Sequence, residues 1–226
     1  MSLRPLKVRT LADHTSDALR NLIASGELQG GQRLIETEVA SQLGVSRGPV
    51  RDAFKQLREE GLLADLPRRG TYVVALTADD ARDVLDLRAG LEARAARLFI
   101  ERRDDRSMAE LTAAHAALVA ACQTGDAPEI SAADYGFHEA VCRGSGSRRL
   151  LAVFVRYATE LRILLHSDTE RLYASGVDVT AQHTELIEHL RDGRTDEAEA
   201  AFRSHVEETR DRLSGIMSRR NELTSV

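Results

Sequence analysis

The 226 residues, 42% apolar and 30% charged, carry enough apolar material for one or two packed cores. No run approaches the roughly 18 to 20 uninterrupted apolar residues of a membrane span. Met1 to Thr10 alternates leucine with arginine and lysine and has no apolar stretch, so neither membrane insertion nor secretion is expected and the location should be cytoplasmic. Aromatics make up only 4% and tryptophan is absent, while alanine, leucine, arginine and glutamate dominate, which excludes an all-β fold and favours a mainly α chain. The two cysteines, Cys122 and Cys142, lack the close spacing of zinc or redox motifs and read as small buried hydrophobes. The net charge of −5 is uneven, +2 over residues 1–76 and −7 over residues 77–226. Two domains, 1–76 and 77–226, that meet different partners are expected.

In chain order, Asp13 to Ser25 places Ala18, Leu19, Leu22 and Ile23 on one helical face, stopped by Gly26 and Gly30-Gly31. Glu36 to Leu43 is a second helix. Gly44-Val45-Ser46 makes a tight turn, and an amphipathic third helix runs from Arg47 to Glu60. Ser46 is a suitable N-cap, and Pro49 is tolerated in the first turn, where amides have no intrahelical acceptor. Two short strand-like runs follow, Leu62 to Leu66 and Thr71 to Val74, joined by Pro67-Arg68-Arg69-Gly70, which predicts a β-hairpin with a basic tip. Beyond Thr77 about six helices are predicted, over 78–102, 106–124, 129–143, 148–170, 178–192 and 196–218.

Arg47, Arg51, Lys55 and Arg58 span an arc of roughly 80° on the third helix, beside an apolar arc of Val50, Ala53, Phe54 and Leu57. In a helix-turn-helix the second helix of the motif enters the major groove by its N-terminal residues, where arginine reads guanine edges with two hydrogen bonds. Arg47 and Arg51 are therefore the candidate base readers. Ser46 is a candidate phosphate contact, and Arg68, Arg69 and Gly70 bring the hairpin tip to the backbone or minor groove. Lys55 and Arg58 read equally well as a solvated face paired with Asp52, Glu59 and Glu60.

The run Gly26 to Leu63, with L-G-V-S-R-x-P-V-R-x-A and E-G-L-L, followed by R-R-G-x-x-V over Arg68 to Val73, resembles the winged helix-turn-helix of GntR-family bacterial transcription regulators. That resemblance implies operator DNA as partner. Some members add a DNA-contacting arginine on the helix before the turn; Thr37 stands at the matching position here. The acidic helical remainder is similar to the FCD-type effector domain of the FadR-like subfamily, in its six-helix, VanR-like version. The resemblance implies a homodimeric regulator, commonly a repressor, with a divalent metal held by one aspartate and three histidines and a small organic acid bound in the bundle.

Asp134 and His138 lie four residues apart, about 40° on the wheel, and His183 and His205 fall on the last two helices. By themselves these are also compatible with an Asp–His pair and two unrelated bundle histidines. The resemblance makes them the D-x-x-x-H … H … H ligand set, suited to zinc, with manganese or nickel as alternatives. His189 falls roughly 240° round from His183 and should not share the cavity. His14 and His115 read as surface or partly buried residues, and His166 stands four after Arg162. For the effector carboxylate, Arg88 and Arg162 are the candidate cations, because guanidinium binds carboxylate bidentately; a surface Arg88–Glu92 pair is the plainer alternative. No His-Glu-x-x-His is present, and Ser145 in Gly144-Ser145-Gly146 has no preceding strand, so no enzyme is expected. Two alternatives are a metal-dependent helical enzyme with an accessory nucleic-acid domain and a regulator whose metal is purely structural.

Overall fold

The computed structural model describes residues 9–75, 77–165, 169–173 and 178–224, apart from the side chains of Ala24, Thr159, 162–165 and 219–224. It divides into two compact units, Met1–Leu76 and Thr77–Val226.

The first unit runs α1 (Leu11–Ala24), β1 (Arg33–Leu34), α2 (Glu36–Leu43), α3 (Arg47–Glu59), β2 (Leu63–Leu66) and β3 (Gly70–Val73). Helix α1 starts two residues earlier than its apolar periodicity indicates. Thr10 accepts from the Asp13 amide while the Asp13 carboxylate accepts from the Thr10 amide, a reciprocal capping box. Gly44 ends α2 with φ 65°, a left-handed conformation that costs glycine nothing and opens the tight turn into α3. Val50, Ala53, Phe54 and Leu57 of α3 are buried together with Leu19 and Ile23 of α1. The two helices are also pinned by polar groups: Arg20 donates to both carboxylate oxygens of Glu60 at 3.0 and 2.8 Å, and Ser16 donates to Gln56 at 3.0 Å.

The hairpin predicted from the sequence is part of a three-stranded antiparallel sheet of order β1-β3-β2. Leu63 pairs with Val73 and Leu66 with Gly70, while the two-residue β1 sets Arg33 opposite Tyr72. Two residues are too short for an alternating pattern, so β1 exists only because β3 presents a free edge to it.

The second unit is helical among its described residues: α4 (Ala78–Arg102), α5 (Asp105–Thr124), α6 (Ala127–Gly144), α7 (Arg148–Leu165), α8 (Thr169–Tyr173), α9 (Val179–Asp192) and α10 (Thr195–Thr224). Six of these correspond to the expected helices. The helix expected over 148–170 is described as α7 up to Leu165 and as the short α8 from Thr169, and residues 166–168 between them lie outside the described residues. Helix α4 packs along α10 and α5 along α6, while α6 also meets α4, α7 and α8. Phe99, Phe137, Val141, Phe154, Ile187 and Phe202 belong to one buried core.

At the end of α6, Gly144 is itself buried, and a Cβ there would overlap the ring of Phe99, only 4% exposed and locked in that core. Gly144→Ala should therefore destabilise the fold by about 1–3 kcal/mol, outweighing the roughly 0.5–1 kcal/mol that alanine gains over glycine in a helix. A thermal melt checks this; an unchanged or raised Tm would mean that Phe99 yields freely.

Candidate nucleic-acid interface and metal centre

In the first unit, Arg47 and Arg51 stand one turn apart at the start of α3, with side chains 60% and 62% exposed. Ser46 takes the extended backbone of an N-cap, but its side chain makes no capping hydrogen bond, so the expected hydroxyl cap does not form and the group is left facing solvent. The partner of the two arginines is Glu36 on α2, which accepts from Arg47 at 3.3 Å and from Arg51 at 3.3 and 3.4 Å. Hydrogen bonds from Arg51, then Arg47, hold the Glu36 carboxyl below its ordinary pKa. Lys55 and Arg58 lie nearer other carboxylates, Lys55 with Glu59 at 4.0 Å and Arg58 with Asp65 at 3.4 Å. Thr37 is exposed.

At the hairpin tip Arg68 and Arg69 are exposed. Arg68 adopts φ 63°, a left-handed conformation costly for a side chain with a Cβ, and Gly70 follows at φ 104°. The guanidinium of Arg33, on β1, lies over Gly70. Sequence reasoning missed Arg33 because its place beside the tip depends on the β1–β3 pairing. The geometry thus offers one cationic ridge on a helix N-terminus and a second on the wing.

In the second unit, Asp134 and His138 on α6, His183 on α9 and His205 on α10 come together: one ligand atom from each lies within 4.8 Å of the others. His138 and His183 are each 1% exposed. Asp134 Oδ1 is 3.0 Å from His183 Nε2 and 3.9 Å from His138 Nε2, and the two Nε2 atoms are 3.3 Å apart. The ring of His205 stacks on His138 with centroids 5.2 Å apart and meets His183 edge-on at 4.7 Å. Phe137 packs edge-on against His138 and His183 and holds the rings upright.

Proton bookkeeping decides what this cluster can hold. His183 Nδ1 lies 2.8 Å from the Val179 carbonyl oxygen, which only accepts, so Nδ1 carries the proton and Nε2 a lone pair. His138 Nδ1 lies 2.7 Å from Glu92 Oε2, which likewise favours the proton on Nδ1, although the contact is not aligned as a hydrogen bond. Two lone pairs and a carboxylate oxygen therefore point at one another, a donor set that a divalent cation neutralises and that fits one oxygen and three nitrogen ligands. Burial, and then the His138 and His183 rings, push His205 well below its ordinary pKa, keeping it in the neutral form a metal requires. Burial works to raise the pKa of Asp134, but the polar histidine rings around it, His183 nearest, outweigh burial and hold the carboxyl below its ordinary range.

Glu92 is the residue that sequence reasoning cast only as a surface partner. The Arg88–Glu92 pair does form, at 2.7 Å, but in the interior: Glu92 is 0% and Arg88 8% exposed. Burial works to raise the Glu92 pKa, yet Arg88 and His138 together hold it down at about 2. The Arg88 guanidinium also lies over the Phe154 ring, 5.5 Å from its centroid. The Arg162 side chain and His166 lie outside the described residues. His189 is apart from the cluster, with Nε2 3.6 Å from Glu185. His14 is exposed, and His115 is half-buried, 3.1 Å from Thr184 Oγ1. Ser145 donates to the Cys142 carbonyl at 2.6 Å, a helix-end contact rather than a nucleophile poised on a base.

Comparison with known proteins places both units. The FCD domain family matches residues 83–208, and the family described as "Bacterial regulatory proteins, gntR family" matches residues 11–73. The "Probable D-xylose utilization operon transcriptional repressor" of Paenarthrobacter nicotinovorans is 29% identical over 197 residues, 87% of this chain and 86% of that protein. The "Nta operon transcriptional regulator" of Aminobacter aminovorans is 29% identical over 198 residues, 87% and 91% of the two chains. A GntR structure from Rhodococcus sp. RHA1 superposes with a TM-score of 0.77 at 25% identity, over 90% of this chain and 97% of the other. These families and relatives are transcription regulators, not enzymes.

Proposed function

Because the chain belongs to the GntR family of bacterial transcription regulators and carries an FCD domain, we propose that it is a cytoplasmic, homodimeric repressor whose hold on operator DNA is set by a small carboxylate bound beside a divalent metal. Residues 1–76 read DNA: Arg47 and Arg51 contact base edges, and Ser46, Arg68, Arg69 and Gly70 contact the sugar–phosphate backbone. A single reading head covers only a short half-site, so two copies on a two-fold operator supply the affinity and specificity. Residues 77–226 form the sensing and dimerising domain. Asp134, His138, His183 and His205 hold the ion, with zinc the leading choice for this donor set, and Arg88 and Arg162 supply positive charge for the effector. The bound ion offers a Lewis-acidic anchor for a carboxylate oxygen. A relative named for D-xylose utilization favours control of carbon-source catabolism and a repressing sign.

The observation that carries this reading is the convergence of four metal-type ligands, each from a helix of one bundle, in a chain that also presents two exposed arginines on a helix-turn-helix. For the ligand to regulate, it must bind the DNA-competent and DNA-incompetent states with different affinities. The test is a thermal-shift screen of zinc-loaded and chelated protein against short mono- and dicarboxylates, with His138→Ala alongside. A shift that requires metal and vanishes in His138→Ala supports the sensor. Melting that depends on metal but responds to no acid overturns the effector reading and leaves a structural ion.

A further inference from the structure

Beside the four ligands lies a cavity of about 20 Å³ whose walls include Asp134, His183 and His205 on one side and Tyr173, Gln182 and Arg212 around them. Arg212 comes seven residues after His205 on α10, which brings it back to the same helical face, with Thr209 between them on that stripe. Its guanidinium is only partly satisfied. One Nη2 donates to Thr209 Oγ1 at 3.1 Å, while Nε is buried and has no acceptor among the described residues. Buried donors of this kind are rarely left unpaired, and a buried guanidinium N–H at the wall of a cavity is a demand for an anionic or strongly polar acceptor.

Among the described residues, a carboxylate is supplied to the buried Arg88 but none to this donor. Arg88 spends its guanidinium on Glu92. No carboxylate is paired with Arg212 among the described residues, although the Asp134 carboxylate shares the same cavity and is itself engaged by His183. We infer that Arg212 is the residue that recognises the effector carboxylate on this side of the metal centre, taking one carboxylate oxygen at Nε while the metal centre takes the other. This rests on the metal-and-carboxylate reading above and adds to it a further cation, one whose buried Nε has no acceptor among the described residues. The cavity holds about one water, so its wall must yield to admit an anion, and short acids are selected over long ones. With Nη2 held by Thr209, the guanidinium presents its charge and the single Nε donor to the acid.

The test uses the zinc-loaded full chain and follows melting temperature against acetate, oxalate, malonate, succinate and inorganic phosphate, with zinc content measured in parallel. Arg212→Gln should keep its zinc and lose at least about tenfold in apparent affinity for the acid that stabilises the wild type. Arg212→Lys, which keeps the charge and loses the planar fork, should fall between the two; it also stands in should Arg212→Gln fail to fold. Phosphate, bulkier than the short acids against the same small cavity, should shift the wild type less than they do. A zinc-bound Arg212 variant that responds to the acid as the wild type does would overturn this inference and leave the carboxylate reading standing. Loss of zinc on substitution would also overturn it, by making Arg212 a support of the metal. A wild type that binds zinc and responds to no acid would overturn both.

Discussion

Replacing Arg47 and Arg51 together by alanine should lower affinity for an operator obtained by in vitro selection at least about a hundredfold, with the melting temperature unchanged. The size follows from the chemistry of base readout: one bidentate arginine–guanine contact discriminates by about tenfold to a hundredfold, and two are removed. The stability expectation follows from the structure. Both side chains are more than half exposed, and their ties to Glu36, at 3.3 to 3.4 Å, are long surface contacts of the kind that contribute little to folding. The singles should differ in kind from Arg69→Ala, which removes a backbone contact, weakens binding to all sequences alike and flattens the salt dependence by about one counterion. Anisotropy titrations at two salt concentrations separate the cases. A double variant that still binds the selected operator at wild-type strength would remove α3 from the reading role.

Glu92→Ala should have the largest effect on stability of any single substitution near the metal centre, about 3–5 kcal/mol, because it strands the Arg88 guanidinium in the interior without its carboxylate. It should also weaken metal affinity by about tenfold to a hundredfold, because the Glu92 carboxylate, 2.7 Å from His138 Nδ1, favours the proton there and so leaves Nε2 free for an ion. The two losses are separable. Adding Arg88→Met to Glu92→Ala removes the stranded charge, so most of the stability should return while metal affinity stays low. Thermal melts and a competitive zinc titration on the three variants check this. Full metal affinity in Glu92→Ala would mean that His138 is oriented by the rings packed around it rather than by Glu92.

The features of this protein that are written over short stretches are legible in the chain itself. The turn at Gly44 to Ser46, the apolar stripe Val50, Ala53, Phe54 and Leu57, and the i,i+4 spacing of Asp134 and His138 all depend on neighbours within a few residues. Helix ends are less legible: α1 begins early because the Thr10–Asp13 box acts outside the apolar pattern. Glu36, eleven and fifteen residues before Arg47 and Arg51, gives no local sign of pairing with them. Arg33 reaches the wing only through a two-residue strand.

The sequence by itself therefore determined the mainly α class and the winged reading motif, because periodicity and turn chemistry encode them over short stretches, whereas the four candidate metal-binding residues, spread over three helices, were identified through the family resemblance. Only the tertiary structure decided that the Arg88–Glu92 pair is buried, that Glu92 reaches His138 from another helix, and that Arg212 brings to the cavity beside the candidate metal ligands a donor without an acceptor among the described residues. Those facts arise from helices distant in sequence packing side by side. Burial is what turns an ordinary surface charge into one that must find a partner, and burial is a property of the packed bundle rather than of any segment within it.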